Sequence, residues 1–254
     1  TDSGVSFVRT VHVTVSEPLR LVAEDFFVAA SGVFVVRGRP GGPFTPLQAA
    51  YTLTNAGHEP IEWSVTPPAW LDVDITPPLS TPLAPGASAQ IVVSLIEPIA
   101  EGMALGDYAE NIVVNNDTLG SAISAQAELR IREAFFVKGE AMPPYDGTSW
   151  DTAFKHIQEG IEAAALTTPP SWVFVKGGTY FEMLIMRDNV EVFGGFLGTE
   201  NHFIERDLDN NPPTIVDANR NGRPVIFEDI DNAGLDGLTI TGGLAHEGGG
   251  IFFD

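Results

Sequence analysis

Cysteine is absent from the 254 residues. That excludes disulfides, cysteine-based zinc sites and thiol catalysis, and it suits an oxidising compartment without requiring one. No run of 18 apolar residues occurs, so no segment reads as a membrane-spanning helix. Basic residues are scarce: 13 Lys and Arg stand against 34 Asp and Glu, a formal net charge of −21. Such a surface repels phosphate backbones, which argues against nucleic acid as a partner. It fits an extracellular, calcium-rich or salty setting, and equally a plain need for solubility. Catalytic signatures are missing as well. The five histidines (His12, His58, His156, His202 and His246) share no metal-ligand spacing, and there is no His-Glu-x-x-His. There is no Gly-x-Ser-x-Gly elbow, and no Gly-rich segment runs into the Lys-Ser/Thr of a phosphate loop.

What is present is the material of a packed β protein. Hydrophobic residues make up 44% and mean hydropathy is +0.09, which excludes global disorder. The 26 Gly and 19 Pro fall between short apolar runs, the punctuation expected of an all-β chain. Residues 5–15 form the first such run, with Val11, Val13 and Val15 on one face, and Ser16-Glu17-Pro18 breaks it. A strand placed there pairs with the domain that follows, with a preceding domain, or with another molecule, as a strand-exchange segment would.

From 19 to 133, strand-sized runs recur at Leu19–Ala29, Val33–Arg37, Gln48–Asn55, Ile61–Thr66, Leu71–Ile75, Ala89–Leu95, Asp107–Asn115 and Ile123–Arg132. Turn residues separate them, including Asn55-Ala56-Gly57, Ala84-Pro85-Gly86 and Asn115-Asn116-Asp117. This is the pattern of a two-sheet sandwich. The stretch Tyr51–Gly57, then Ile61–Val65, Trp70–Val73, Leu83–Ser88 and Gly106-Asp107-Tyr108 resembles bacterial immunoglobulin-like modules of the BACON type. That resemblance covers most of 19–132 and implies an immunoglobulin-like β-sandwich. Residues 1–18 then read as the closing strand of a preceding module or as a donated strand, and 134–145 as a linker.

From 146 on the pattern changes. Asp146–Phe154 is expected to open a helix, capped by Thr148 or Ser149 and favoured by Asp151 in its first turn. Trp150, Ala153, Phe154, Ile157, Ile161 and Ala164 make one apolar stripe along it, ending before Thr167-Thr168-Pro169-Pro170. Short strands follow at Trp172–Lys176, Val190–Phe193, Thr214–Asp217, Val225–Phe227, Leu238–Ile240 and Gly250–Phe253, several closed by Gly pairs. Strands this short at roughly 20-residue intervals are the signature of a parallel solenoid. Asp146–Ala165, Val173–Tyr180, Gly194-Gly195-Phe196, Gly237–Gly243 and Gly249-Gly250-Ile251 resemble the start of right-handed parallel β-helix proteins, both pectate-lyase-like and polymorphic outer-membrane-repeat-like. The resemblance implies that the helix, through Trp150, Phe154, Ile157 and Ile161, caps the first coil. The last run, Gly248–Asp254, breaks off within a strand, so the expectation is the N-terminal part of a longer β-helix.

Three groups of residues carry candidate chemistry. Asp207, Asp209, Asn211 and Asp217 lie in an oxygen-rich segment with the hard ligands that calcium prefers, though Asp and Asn are also the commonest turn formers. Calcium is the one cofactor the sequence offers. Glu228, Asp229, Asp231 and Asp236 supply carboxylates of the kind glycoside hydrolases pair, or else a solvated acidic turn. Trp63, Trp70 and Tyr108 would stack on sugar rings if exposed, and would belong to the core if not. Together the two resemblances imply a structural or adhesive module of a secreted bacterial cell-surface or filament-forming protein. Its partners would be other modules of the same protein or neighbouring subunits. The alternative is a protein that binds or degrades extracellular polysaccharide, with catalytic coils beyond Asp254.

Overall fold

The computed structural model describes residues 19–23, 33–79, 82–200, 202–246 and 249–253. The expected strand-exchange residues Val11, Val13 and Val15 lie outside them, as do 24–29 of the expected strand Leu19–Ala29. The protein is all-β in character and divides into two compact units, one reaching Ile131 and the other starting at Arg132.

The first unit contains β1 (Leu19–Ala23), β2 (Phe34–Gly38), β3 (Phe44–Thr45), β4 (Gln48–Asn55), β5 (Trp63–Thr66), β6 (Leu71–Thr76), β7 (Ser88–Leu95), α1 (Glu97–Glu101), β8 (Gly106–Asn116) and β9 (Ser121–Ile131). They form two sheets, ordered β1-β4-β7-β6 and β3-β2-β9-β8-β5, antiparallel throughout except where β2 runs parallel to β9. Alternation decides the faces: along β7 every second residue, Ala89, Ile91, Val93 and Leu95, is buried. These residues join Leu53, Trp70, Ile112, Val114 and Leu129 in one cluster fed by both sheets. The fully buried Asn55 holds its corner by donating to the carbonyls of Glu59 and Leu83 while accepting from the Gly57 N–H. At the end of its sheet among the described residues, β6 exposes Asp72 and Asp74, charges that discourage pairing with another strand.

The second unit is built on rotation. Its elements are β10 (Ala134–Val137), α2 (Ile157–Ala165), β11 (Trp172–Lys176), β12 (Gly178–Tyr180), β13 (Leu184–Ile185), β14 (Glu191–Phe196), β15 (Thr214–Asp217), β16 (Val225–Phe227), β17 (Gly234–Asp236), β18 (Leu238–Thr241) and β19 (Ile251–Phe253). Three wholly parallel sheets result: β10-β11-β14-β17, β12-β15-β18 and β13-β16-β19. From β11 onward the chain visits the three sheets in fixed order, three times over. Register sets like on like: Val173, Val192 and Leu235 align, as do Tyr180, Val216 and Ile240, and Leu184, Val225 and Ile251. The circuits are unequal, because an excursion through 197–213 lengthens the second beyond the regular interval expected. Close backbone stacking at the corners requires glycine in places. A Cβ on Gly194 would lie 2.5 Å from the Gly237 carbonyl oxygen, and Gly242, at φ +68°, would drive one into the Asp217 carboxylate.

Two sequence expectations are corrected in this unit. Residues 134–145 are not merely a linker, since Ala134–Val137 pairs in parallel with β11 as the first strand of its sheet. The helix begins at Ile157, not near Asp146. Asp146 is the physical reason: its carboxylate accepts from the Thr148 N–H and hydroxyl and from the Thr152 hydroxyl, while the Thr152 carbonyl accepts from the N–H groups of Asp146 and Gly147. That closed loop satisfies locally the groups a helix would have used. Trp150 therefore lies outside the helix, and Phe154 bridges Val137.

The helix that does form is held from three directions. Glu159 accepts from the backbone N–H groups of Lys155 and His156. Glu182, from the turn before β13, accepts from the N–H groups of Ile157 and Gln158 and so places a negative charge at the helix start. Gln158 pairs with both the N–H and the carbonyl of Ile185, filling the place of a strand beside β13. Ile157, Ile161 and Ala164 are buried in one cluster with Val137 and Val173.

Two substitutions test this arrangement by denaturant unfolding. Glu182→Ala should cost about 1 kcal/mol by uncovering the two helix N–H groups. Gly160→Ala should destabilise by about 1–2 kcal/mol although alanine is the better helix former, because its Cβ would press on Val173 Cγ1 at 2.8 Å and Val137 Cγ2 at 2.9 Å. A rise in stability on Gly160→Ala would show that the helix does not pack as described.

Candidate functional site

The most elaborate constellation of side chains lies on the outer face of the sheet β10-β11-β14-β17. Strand β11 is buried on both faces: Val173 and Val175 enter the cluster with α2, and Trp172 and Phe174 enter a second one. That second cluster holds Phe136, Trp150, Trp172, Phe174, Phe193 and Phe196. Phe174 stacks on Phe196 at 4.7 Å between centroids, and Trp150 meets Phe136 edge-on at 4.9 Å.

Polar groups lock this aromatic face shut. The Trp150 indole N–H donates to the Glu200 carbonyl. The Glu200 carboxylate accepts from the backbone N–H groups of Leu197 (2.7 Å), Gly198 (2.9 Å) and Thr199 (3.0 Å). Burial pushes the pKa of Glu200 up, but the N–H donors of Leu197, Thr199 and Gly198 outweigh it and hold the group below the usual glutamate range. Arg206 lies over the rings of Phe193 and Phe196 at 5.5 and 5.9 Å, donates to the Gly194 carbonyl and pairs with Asp236 at 2.9 Å. This ring of backbone donors could cradle an anion, but it is filled by the chain's own carboxylate. Tyr180, buried in the coil interior, has its hydroxyl pKa raised by burial, and its hydroxyl donates to the Lys176 carbonyl.

The candidate residues from the sequence fall into place as follows. The four proposed calcium ligands do not converge. Asp207 spends its carboxylate on the N–H groups of Asp209 and Asn210 and on the Asn210 amide, with the Asn210 side chain the chief reason its pKa is lowered. Asn211 donates to the Gly195 carbonyl, and Asp217 accepts from the Asn219 N–H. Among the described residues no three His, Cys, Asp or Glu side chains are grouped to hold a metal ion. The turn-forming alternative therefore describes this segment. The second acidic group is likewise dispersed: Asp231 donates its N–H to Asp188, Asp229 adopts a left-handed turn conformation (φ 48°), and Asp236 belongs to Arg206.

Trp63 and Trp70 are 3% and 2% exposed, so neither presents a face on which a sugar could stack. Trp70 donates to Glu110. Tyr108 is half-buried against the same core and donates to the Ala104 carbonyl. Burial also pushes the Tyr51 hydroxyl up to about 12. Trp150 lies outside the helix, buried in the aromatic cluster on the sheet's outer face. Sequence reasoning missed Gln158, Glu182, Glu200 and Arg206. Only Arg206 carried a signal, a cation a short distance after the aromatic Gly-Gly-Phe segment.

No family model matches the chain, and no curated protein matches it. Among solved structures, that of the Vibrio cholerae VesB protease aligns with 45% of this chain and 32% of its own length, at 16% identity and a TM-score of 0.31. This chain thus spans about a third of that protein's length, and a likeness so slight carries no argument about fold or chemistry. The class that the strands define is an all-β protein, and among the described residues no helix is long and apolar enough to cross a membrane.

The Glu200 clasp makes a pH prediction. A carboxylate with a depressed folded pKa contributes stability above its unfolded value of about 4.3, and loses it as pH falls through the folded value. Glu200→Gln should therefore cost about 1–2 kcal/mol at neutral pH, and the gap to the parent protein should close in acid. Urea unfolding across that range measures it; a gap that does not change with pH would sink the assignment.

Proposed function

We propose that this chain is a structural or adhesive part of a secreted bacterial cell-surface or filament-forming protein. Its architecture is an immunoglobulin-like β-sandwich followed by a right-handed parallel β-helix. The observation that carries the reading is the threefold rotation of strands through three parallel sheets, with apolar residues stacked in register from one circuit to the next. Parallel crossovers are almost always right-handed, which supplies the hand. In the first unit, two largely antiparallel sheets sharing one core support the sandwich.

The chemistry supports a structural role over an enzymatic one. Of the carboxylates singled out for catalysis or calcium, Asp207 and Asp217 accept from neighbouring backbone and Asp236 pairs with Arg206, and the tryptophans of the sandwich are core. An acidic and repetitive module then works by presenting surface, and its partners are other modules of the same protein or neighbouring subunits.

Two measurements test the proposal. Antibodies to this chain should label the surface of intact source cells, and loss of the gene should reduce cell attachment or filament formation. The purified chain should show neither cleavage of polysaccharides nor sugar-dependent change in tryptophan fluorescence, since Trp63 and Trp70 are enclosed. Saturable fluorescence quenching by an oligosaccharide would favour the carbohydrate-binding alternative, and label confined to the cytoplasm would overturn the proposal outright.

A further inference from the structure

The chain contains three dipeptides in which aspartate or asparagine precedes glycine: Asp146-Gly147, Asn221-Gly222 and Asp236-Gly237. In such a pair the glycine amide nitrogen can attack the side-chain carbonyl carbon one residue back and close a five-membered ring. Folding normally suppresses this by engaging one reactant or the other. Asp146 is engaged by Thr148 and Thr152, and the Gly147 N–H donates to the Thr152 carbonyl. Asp236 is paired with Arg206. At the third pair neither reactant is held among the described residues.

Asn221 is exposed, on the turn between β15 and β16. Among the described residues neither its carboxamide nor the Gly222 N–H has a hydrogen-bond partner. The turn is otherwise well tied: the Asn221 N–H donates to the Ala218 carbonyl, the Arg220 N–H to Gly242, and the Leu244 N–H to the Gly222 carbonyl. Asn219 and Arg220 both have positive φ, and Gly222 sits at φ +123°, so the backbone there is bent as side chains other than glycine resist.

We infer that Asn221 is a site of spontaneous covalent modification, converting through a cyclic imide with Gly222 to aspartate and isoaspartate. The Gly222 nitrogen forms a bond to Asn221 Cγ, its proton passes to the departing amide nitrogen, and ammonia leaves. Water then opens the imide at either carbonyl. Opening at Cγ restores the normal backbone as aspartate, and opening at the other carbonyl leaves isoaspartate with the main chain rerouted through Cβ. The net change is one water consumed and one ammonia released, with no oxidant or reductant. Isoaspartate lengthens the backbone between Arg220 and Gly222, the two residues tied to Gly242 and Leu244 of the next circuit. Modification therefore loosens the seat of the third circuit on the second.

The test is peptide mapping by mass spectrometry of the full chain held at mildly alkaline pH, folded and in guanidinium chloride. The peptide containing Asn221 should gain about one mass unit and split into two products, and the folded chain should react at no less than about a tenth of the unfolded rate. Asn221→Gln, a conservative exposed change, should abolish the gain at this peptide. Gly222→Ala is not used, since its Cβ would meet Met183 Sδ at 3.0 Å in a strained backbone. Protection of the folded chain beyond tenfold would overturn the inference, as would a gain that persists at this peptide in Asn221→Gln.

Discussion

The second unit depends on one constraint: a strand of two to six residues cannot bury its inner side chain alone, so each must lie in register on the same strand of the previous circuit. Leu184, Val225 and Ile251 show it, as do Tyr180, Val216 and Ile240. In-register parallel pairing satisfies the backbone and aligns the apolar ladder in one step, and it leaves little freedom elsewhere. Corners must be tight enough to bring the next strand over the last, which is why Gly194 and Gly242 sit where a Cβ would strike backbone or carboxylate.

Such a stack has an exposed first circuit, and this chain closes it with unlike parts. β10 covers the edge of β11, α2 fills the interior beside Val137 and Val173, and the Gln158 amide takes the place of a strand against Ile185. A helix alone would leave the backbone of β13 unpaired, and a strand alone would leave the interior open. The helix start, with its unpaired N–H groups, is in turn met by Glu182 from the turn it covers.

The outer aromatic face shows the same economy of polar groups. Phe174, Phe193 and Phe196 on a sheet exterior would be an exposed apolar patch, were it not for the loop that Trp150, Glu200 and Arg206 fasten over them. The groups that would attract notice as a site, a carboxylate ringed by N–H donors and an arginine on aromatic rings, are satisfied within the fold.

Composition and period by themselves determined much of this. Alternation in Ser88–Leu95 and glycine-closed apolar runs after Trp172 required strands, because period-2 burial and tight corners admit little else. Acidity and the lack of cysteine bounded the chemistry. Only the tertiary structure decided what the individual polar groups do. Asp146 looked like the start of a helix and closed a loop instead, because its oxygens reached Thr148 and Thr152 before a helix could use the backbone. Trp63 and Trp70 could have faced sugar or core, and Asp207 could have faced calcium or its own turn. Side-chain type is the same in either case, and only packing from distant strands selects between them. Glu182 and Gln158 meet across more than twenty residues of chain, a contact that no local pattern encodes.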